Sequence, residues 1–317
     1  MLKISFVIPC YKSELTLKSV IEEIRDTMTK MADKYTYECI LVNDASPDNT
    51  FDVIKELSKE NDNITGIDLA RNFGQHAALM AGFHYVSGDI VVCLDDDGQT
   101  PADQVDRLLN ELIDNDQDVV YARYAHKKHS LFRNFGSYVN EKMAQFLLGK
   151  PKTLYVSSYF AARRFIVDEI KKYDKSYPYV IGLVLRTTNR ISNVDVDHRE
   201  RQVGTSGYTF RKLINLWMNG FTAFSVTPLR VSTWCGFILG VFGFLYGVYT
   251  IIKKMVLPDV PIGYSSIMAA LMFIGGMVLL MQGLAGEYIG RMYIGMNNAP
   301  QYIIRETVDS KDTESEQ

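Results

Sequence analysis

The sequence predicts an α/β domain on a mostly parallel sheet, followed by two apolar helices long enough to cross a membrane. Three observations carry this. Short apolar runs alternate with helical periods from residue 4 to residue 122, the runs end in polar or turn-forming residues, and two long uncharged segments lie near the carboxyl end. Strands separated by helices of this length pair in parallel through right-handed crossovers.

Residues 4–9 are a short apolar run stopped by proline, and residues 14–31 have helical periodicity. Residues 38–44 form a second strand; it ends in Ala45-Ser46-Pro47-Asp48, a turn that also caps the helix over residues 50–61. A third strand covers 64–69, a third helix 75–86, and a fourth strand 90–94. Residues 103–115 read as a helix and 118–122 as a strand ending at Arg123. Ligands bind such sheets beyond the carboxyl ends of the strands. Pro9-Cys10-Tyr11, Asn43-Asp44, Arg71-Asn72 and the run from Asp95 to Gln99 all fall there. No Gly-x-Gly-x-x-Gly follows the first strand and no Gly-x-x-x-x-Gly-Lys-Ser/Thr occurs, which disfavours dinucleotide oxidoreductases and P-loop enzymes.

Asp95-Asp96-Asp97-Gly98-Gln99 follows the fourth strand directly. Alternation sends Asp95 and Asp97 to one side of the strand end and Asp96 to the other. Two converging carboxylates at a buried strand end are costly unless a cation sits between them. A hard divalent ion, Mg²⁺ or Mn²⁺, takes oxygen ligands and shares them with substrate phosphates. An acidic loop tip or a helix N-cap is the competing reading. On the metal reading, Asp96 tolerates substitution far better than its neighbours.

Apolar content of 47% and a net charge of −3 over 317 residues argue against disorder and give no reason to expect nucleic-acid binding. Residues 231–252 and 264–286 carry no charge, and each is near the roughly 20 residues that span a bilayer core. A buried hairpin of a soluble protein is the alternative. Arg211, Lys212, Arg230, Arg291 and Arg305 lie outside the hairpin's linker, against Lys253 and Lys254 within it, which places both chain ends in the cytoplasm. The amino terminus does not read as a signal peptide. Phe210, Leu213, Ile214, Trp217 and Phe221 recur at helical spacing beside Arg211-Lys212; they suit an interfacial helix or an ordinary core helix. The division expected is a cytosolic domain at 1–207, an interfacial amphipathic segment at 208–228, a transmembrane hairpin at 229–290 and a cytosolic tail at 291–317, disordered from Glu306. Arg123, His126, Lys127, Lys128, His129 and Arg133 form a basic stretch, either a solvated face or a site for anionic headgroups. Cys10, Cys39, Cys93 and Cys235 lack metal-type spacing and read as packing residues of a reducing compartment.

Several segments occur in a characteristic order: Pro9-Cys10-Tyr11, Asn43-Asp44-Ala45-Ser46, residues 71–76, residues 80–83, and Asp95-x-Asp97-x-Gln99. Phe132-Arg133, residues 204–208, residues 213–216 and residues 286–291 continue the order. Together with the apolar hairpin they resemble the family 2 glycosyltransferases of GT-A fold, and more narrowly the polyisoprenyl-phosphate glycosyltransferases, which include dolichol-phosphate mannose synthases and undecaprenyl-phosphate sugar transferases. The resemblance implies that Asp95, Asp97 and Gln99 surround a Mg²⁺ or Mn²⁺ that neutralises the diphosphate of a nucleotide-diphospho-sugar. It implies that Pro9, Tyr11 and Asp44 hold the nucleoside, and it counts Asp95 and Asp96 with the donor-binding residues. Arg123, Arg133 and Ser137 would receive the phosphate of a polyisoprenyl phosphate, and Arg201 would approach the phosphates from the far side. Asp97, Arg123, Arg133 and Arg201 form the implied catalytic set.

The sequence departs from the family pattern at Ser13, where a glutamate is frequent and Glu14 is displaced by one, and at Asn43-Asp44, where two aspartates are usual. Ser157-Ser158-Tyr159-Phe160 replaces Ser-Gly-Phe, and Gly207 replaces a lysine. The last two bear on substrate identity more than on reaction type. The implied activity is inverting transfer from UDP-glucose, or from UDP-N-acetylglucosamine or another UDP-hexose, to undecaprenyl phosphate. The implied setting is the cell's inner membrane, with the catalytic domain cytoplasmic and the chain assembled as a homo-oligomer, a tetramer by resemblance. A processive polysaccharide synthase is the enzyme alternative, but Trp217 and Trp234 are the only tryptophans and neither sits in a Gln-x-x-Arg-Trp signature. An inactive nucleotide-sugar-binding scaffold and a metal-dependent hydrolase are the remaining alternatives.

Overall fold

Four parallel strands form the centre of the fold: β1 (Leu2–Cys10), β2 (Tyr35–Asn43), β3 (Ile64–Leu69) and β4 (Ile90–Cys93). They come from a computed structural model that describes residues 1–124, 150–197, 227–256, 263–296 and 299–309. Helices α1 (Leu17–Lys30), α2 (Thr50–Glu60) and α3 (Gln75–Phe83) make the crossovers, and α4 (Val105–Asp114) leads to β5 (Val119–Tyr124). Then follow β6 (Phe160–Arg163), α5 (Arg164–Ile170), α6 (Val180–Thr187), β7 (Ile191–Val196), the long helices α7 (Thr227–Val256) and α8 (Tyr264–Met296), and finally β8 (Ile304–Val308). The eight-stranded sheet has the order β7-β5-β6-β4-β1-β2-β3-β8. Strands β6 and β8 run antiparallel to their neighbours, and the remaining pairings are parallel.

Both faces of the sheet are covered, which is why its strands are continuously apolar rather than alternating. Ile4, Phe6 and Ile8 of β1 pack with Leu17, Ile24, Ile54 and Leu108 from α1, α2 and α4. Val7 points the other way, into Ala78, Phe83, Ile166 and Val184 from α3, α5 and α6. Helix α3 lies close to the sheet: a Cβ built on Gly82 would come within 2.6 Å of a Val7 methyl, so a glycine is required there. Cys10, Cys39 and Cys93 are free and buried in these layers, whereas Cys235 is exposed on α7.

Between residues 150 and 197 the sequence patterns predict no element, yet β6, α5, α6 and β7 lie there. A four-residue strand such as β6 is too short to display a period. The tail expectation also needs correction. Glu306 begins no disordered segment, because residues 304–308 pair with β3 as β8. Its side chains are held by ion pairs and packing that local periodicity does not encode. Helix α8 likewise runs on to Met296, past the expected boundary at residue 290.

Helices α7 and α8, of 30 and 33 residues, contain apolar stretches at Val231–Tyr249 and Phe273–Ile294 that are long enough to cross a membrane. Their large side chains, among them Trp234, Phe237, Phe242 and Leu279, are largely exposed. The interfacial segment expected at 208–228 falls almost wholly outside the described residues.

At the amino ends of the strands, Glu38 ties three segments together. It accepts hydrogen bonds from Ser5 Oγ (2.6 Å), Ser87 N (2.6 Å) and Ser87 Oγ (2.7 Å), and pairs with Lys3 Nζ at 2.6 Å. Burial pushes its carboxyl up, but those donors outweigh burial and hold it below its ordinary value of 4.5. A carboxylate depressed on folding stabilises fully above the unfolded value, and the contribution fades as pH falls through the lower folded value. Glu38→Gln is therefore expected to cost about 1–2 kcal/mol at neutral pH. The gap between its melting temperature and that of the unaltered protein should begin to narrow only below pH 4.5 and close as pH falls through the lower folded value. A difference independent of pH would contradict this account.

Candidate active site

The carboxyl ends of β1, β2, β3 and β4 lie on one rim, because these strands are parallel and in register. The amino ends of β6 and β8 reach the same rim because both run antiparallel. The loops beyond Cys10, Asn43, Leu69 and Cys93 therefore converge with Ser158 and with the start of β8.

The three adjacent aspartates have different surroundings. Asp95 accepts a 2.8 Å hydrogen bond from Gln75 Nε2 at the start of α3, and another from Ser158 Oγ before β6. Burial pushes its carboxyl up to about 6, aided by the charges of Asp97 and Asp96 and opposed by the Ser158 and Gln75 hydrogen bonds. Asp96 Oδ2 accepts from Tyr11 N at 2.9 Å and from Ser13 Oγ, while its carbonyl accepts from Thr16 Oγ1 at 2.6 Å. Asp97 Oδ1 accepts from Gln99 N at 3.1 Å across Gly98, whose φ of +72° favours glycine. Tyr124 is close enough for the charges of Asp95 and Asp97, after burial, to help push its phenol up to about 12, against a Thr100 hydrogen bond.

Alternation thus separates Asp96 from Asp95, but the expected tolerance at Asp96 needs correction. Its side chain fastens the loop between β1 and α1, the loop that carries Tyr11. Tyr11 is 47% exposed, with Lys12 Nζ 5.7 Å above its ring. Pro9 is buried inside β1 opposite Val42. Asp44, only 4% exposed, points both carboxylate oxygens at backbone amides, Phe73 N at 2.7 Å and Gly74 N at 2.8 Å. Burial raises its carboxyl, and those two amides oppose the rise. What the structure shows for Asp44 is thus a loop-holding role that the sequence did not suggest.

Arg123 is not a free cation: Asp195 of β7 holds it bidentately at 2.6 and 3.0 Å. A phosphate at Arg123 would have to compete with that carboxylate, a partner invisible at 72 residues' separation. Arg133, Ser137 and Arg201 lie outside the described residues. Sequence reasoning missed Gln75, Ser158 and Tyr124 as neighbours of the acidic run. The only hints were Gln75 and Ser158 themselves, in motifs already singled out. Glu14, displaced by one from the family position, accepts from Asn49 N at 2.9 Å and so supports the entry to α2.

Among the described residues, no three or more His, Cys, Asp or Glu side chains converge as a metal site. A cation here would have two carboxylates at most, Asp95 and Asp97, with Gln99 two residues beyond Asp97 and the rest of its shell from water and ligand oxygens. That donor set fits a hard divalent ion, which is commonly held by one or two carboxylates plus substrate phosphates. The upward push on Asp95 from its neighbours' charges is what such an ion would relieve.

Comparison with known proteins gives two family matches: Glycosyl transferase family 2 over residues 5–171 and the GtrB C-terminal hairpin over residues 227–292. An undecaprenyl-phosphate 4-deoxy-4-formamido-L-arabinose transferase of Yersinia enterocolitica is 34% identical, covering 99% of this chain and 96% of its own length. The Photorhabdus laumondii protein of the same name is 32% identical over 99% and 97%. Among solved structures, glucosyl-3-phosphoglycerate synthase of Mycobacterium tuberculosis with phosphoglyceric acid superposes at a TM-score of 0.52 and 20% identity, covering 69% of this chain and 78% of that one. The same enzyme with Mn²⁺, UDP-glucose and phosphoglyceric acid gives 0.51, at the same identity and coverage. At that identity the likeness concerns the fold.

Asp96→Ala removes the acceptor for two donors of the first loop and is expected to cost about 2–3 kcal/mol. Asp97→Ala should cost less than about 1 kcal/mol, since it also relieves like-charge repulsion. Thermal melting of both variants in detergent tests the contrast, and equal melting temperatures would refute it.

Proposed function

The chain belongs to glycosyl transferase family 2, and from that premise we propose that it transfers a sugar from a nucleotide diphosphate to undecaprenyl phosphate, with inversion. The observation that carries the proposal is the likeness to undecaprenyl-phosphate sugar transferases along 99% of the chain, catalytic domain and hairpin together. The activity for which these relatives are named makes nucleotide-linked 4-deoxy-4-formamido-L-arabinose the first donor to test, ahead of the UDP-glucose favoured from the sequence alone. The exposed apolar surface of α7 and α8 supports a membrane hairpin, and the Lys/Arg bias outside its linker favours a catalytic domain on the cytoplasmic side of the inner membrane.

The acceptor's phosphate oxygen attacks the anomeric carbon from the face opposite the leaving diphosphate. A phosphate's second pKa is near 6, so the nucleophile is mostly deprotonated at neutral pH and no general base is required. The protein's task is to bring two anions together. Asp95 and Asp97 provide the carboxylates for a divalent ion, Mg²⁺ or Mn²⁺, and Gln75 and Ser158 fix the orientation of Asp95. Such an ion, when bound, neutralises charge developing on the departing diphosphate. The exposed Tyr11 ring offers a surface for the nucleoside beside the Asp44 loop. Arg123 exchanges Asp195 for the incoming phosphate, with Arg133, Ser137 and Arg201 completing the anion site.

The test is transfer of radiolabelled sugar to undecaprenyl phosphate by the purified protein, with mass spectrometry of the lipid product. Asp97→Asn is expected to lower turnover by about 10²-fold or more, and chelation should abolish it. Near-normal transfer by that variant, or transfer without metal, would overturn the metal assignment. Free sugar released without acceptor would indicate a hydrolase, and binding without any lipid-linked product a scaffold.

A further inference from the structure

We propose that Arg305, on the strand that follows the hairpin, is a positioning residue for the donor-binding loops. The inference rests on the proposed reading of the β1 and β2 loops as the donor site, and its physical basis is a continuous hydrogen-bonded path. Arg305 Nη1 reaches Asp68 Oδ2 at 3.2 Å and its Nη2 donates to Ala70 O at 2.8 Å. Asp68 is buried at the end of β3, and its Oδ1 accepts from Asn43 Nδ2 at 2.7 Å. Asn43 Oδ1 in turn accepts from Ser46 N at 3.2 Å. Ser46 Oγ accepts from Lys12 N at 2.7 Å and donates to Asp48 at 2.5 Å.

The path reaches Lys12, in the left-handed region at φ +61°, and passes through Ser46 directly after Ala45, which lies there too at φ +49°. Non-glycine residues hold that conformation only where their surroundings impose it. Without Arg305, Asp68 keeps a buried charge with no cation, and the pull on Asn43 that orients its carbonyl toward Ser46 weakens. The same terminal segment is seated independently. Ala70 N donates to Ile303 O at 2.8 Å, Gln301 Nε2 to Tyr173 O at 2.6 Å, and Ser176 Oγ to Ala299 O at 2.7 Å. Lys55 also pairs with Glu306 at 2.9 Å on this strand without touching Asp68. Strand docking and loop positioning can therefore be separated by mutation.

Hydrogen–deuterium exchange on the full-length protein in detergent micelles reads the path without any substrate. In Arg305→Met, peptides covering residues 11–16 and 43–48 are expected to exchange about fivefold to tenfold faster, whereas Lys55→Met leaves them unchanged. Arg305→Lys, which retains charge without the two-pronged contact, should fall between and serves if the methionine variant fails to fold. In the transfer assay, Arg305→Met should raise the donor KM about tenfold with kcat within about twofold. Unchanged exchange in both peptides, or an equal increase in Lys55→Met, would overturn the inference. Faster exchange confined to Arg305 variants would uphold the positioning role even if the unaltered protein transferred no sugar, and only the proposed function would then fall.

Discussion

Three adjacent carboxylates sit at the mouth of a buried strand, and much of the rim is arranged to satisfy charges that burial, and then their neighbours, disfavour. The Asp95 carboxyl is driven up by burial and by its neighbours, and two donors from distant segments, Gln75 and Ser158, hold it in place. Asp96 meets the same problem differently, by facing the first loop and accepting from Tyr11 and Ser13. Remove the acidic run, and both the loop after β1 and the segment before β6 lose one of the contacts that hold them at the rim.

The rim is thus assembled from segments far apart in the chain, each held by a polar side chain at a strand end. Asp44 fixes the entry to α3 through two backbone amides, and Asp195 occupies Arg123 at the outer edge. A site loaded with negative charge is tolerable in a fold whose central strands are apolar on both faces, because the packing beneath is extensive.

Much of this was legible in the sequence, for identifiable reasons. The four central strands are apolar runs bounded by helices, and the third is observed at residues 64–69, as its pattern predicts. The convergence of Asn43-Asp44 and the acidic run on one rim follows from parallel pairing alone. Antiparallel β6 and β8 were hidden: one has four residues, and the other places charged Arg305 and Glu306 in an edge strand that reads as a polar tail. Side-chain partnerships across long separations were also hidden. Alternation indicates which way Asp96 points but not that Tyr11 and Ser13 meet it, and nothing local to Arg123 announces Asp195.

The placement of β8 also orders events in time. Arg305 lies 237 residues beyond Asp68, with both long apolar helices between them. At roughly 5–20 residues per second, translation leaves Asp68 without that partner for about 10–50 s. During that interval β3 is the open edge of a sheet already able to form, and the apolar helices emerge before the strand that covers it. The sheet therefore reaches its final width only after the hairpin has been made, so a chain truncated before β8 would present an uncovered strand edge to its neighbours.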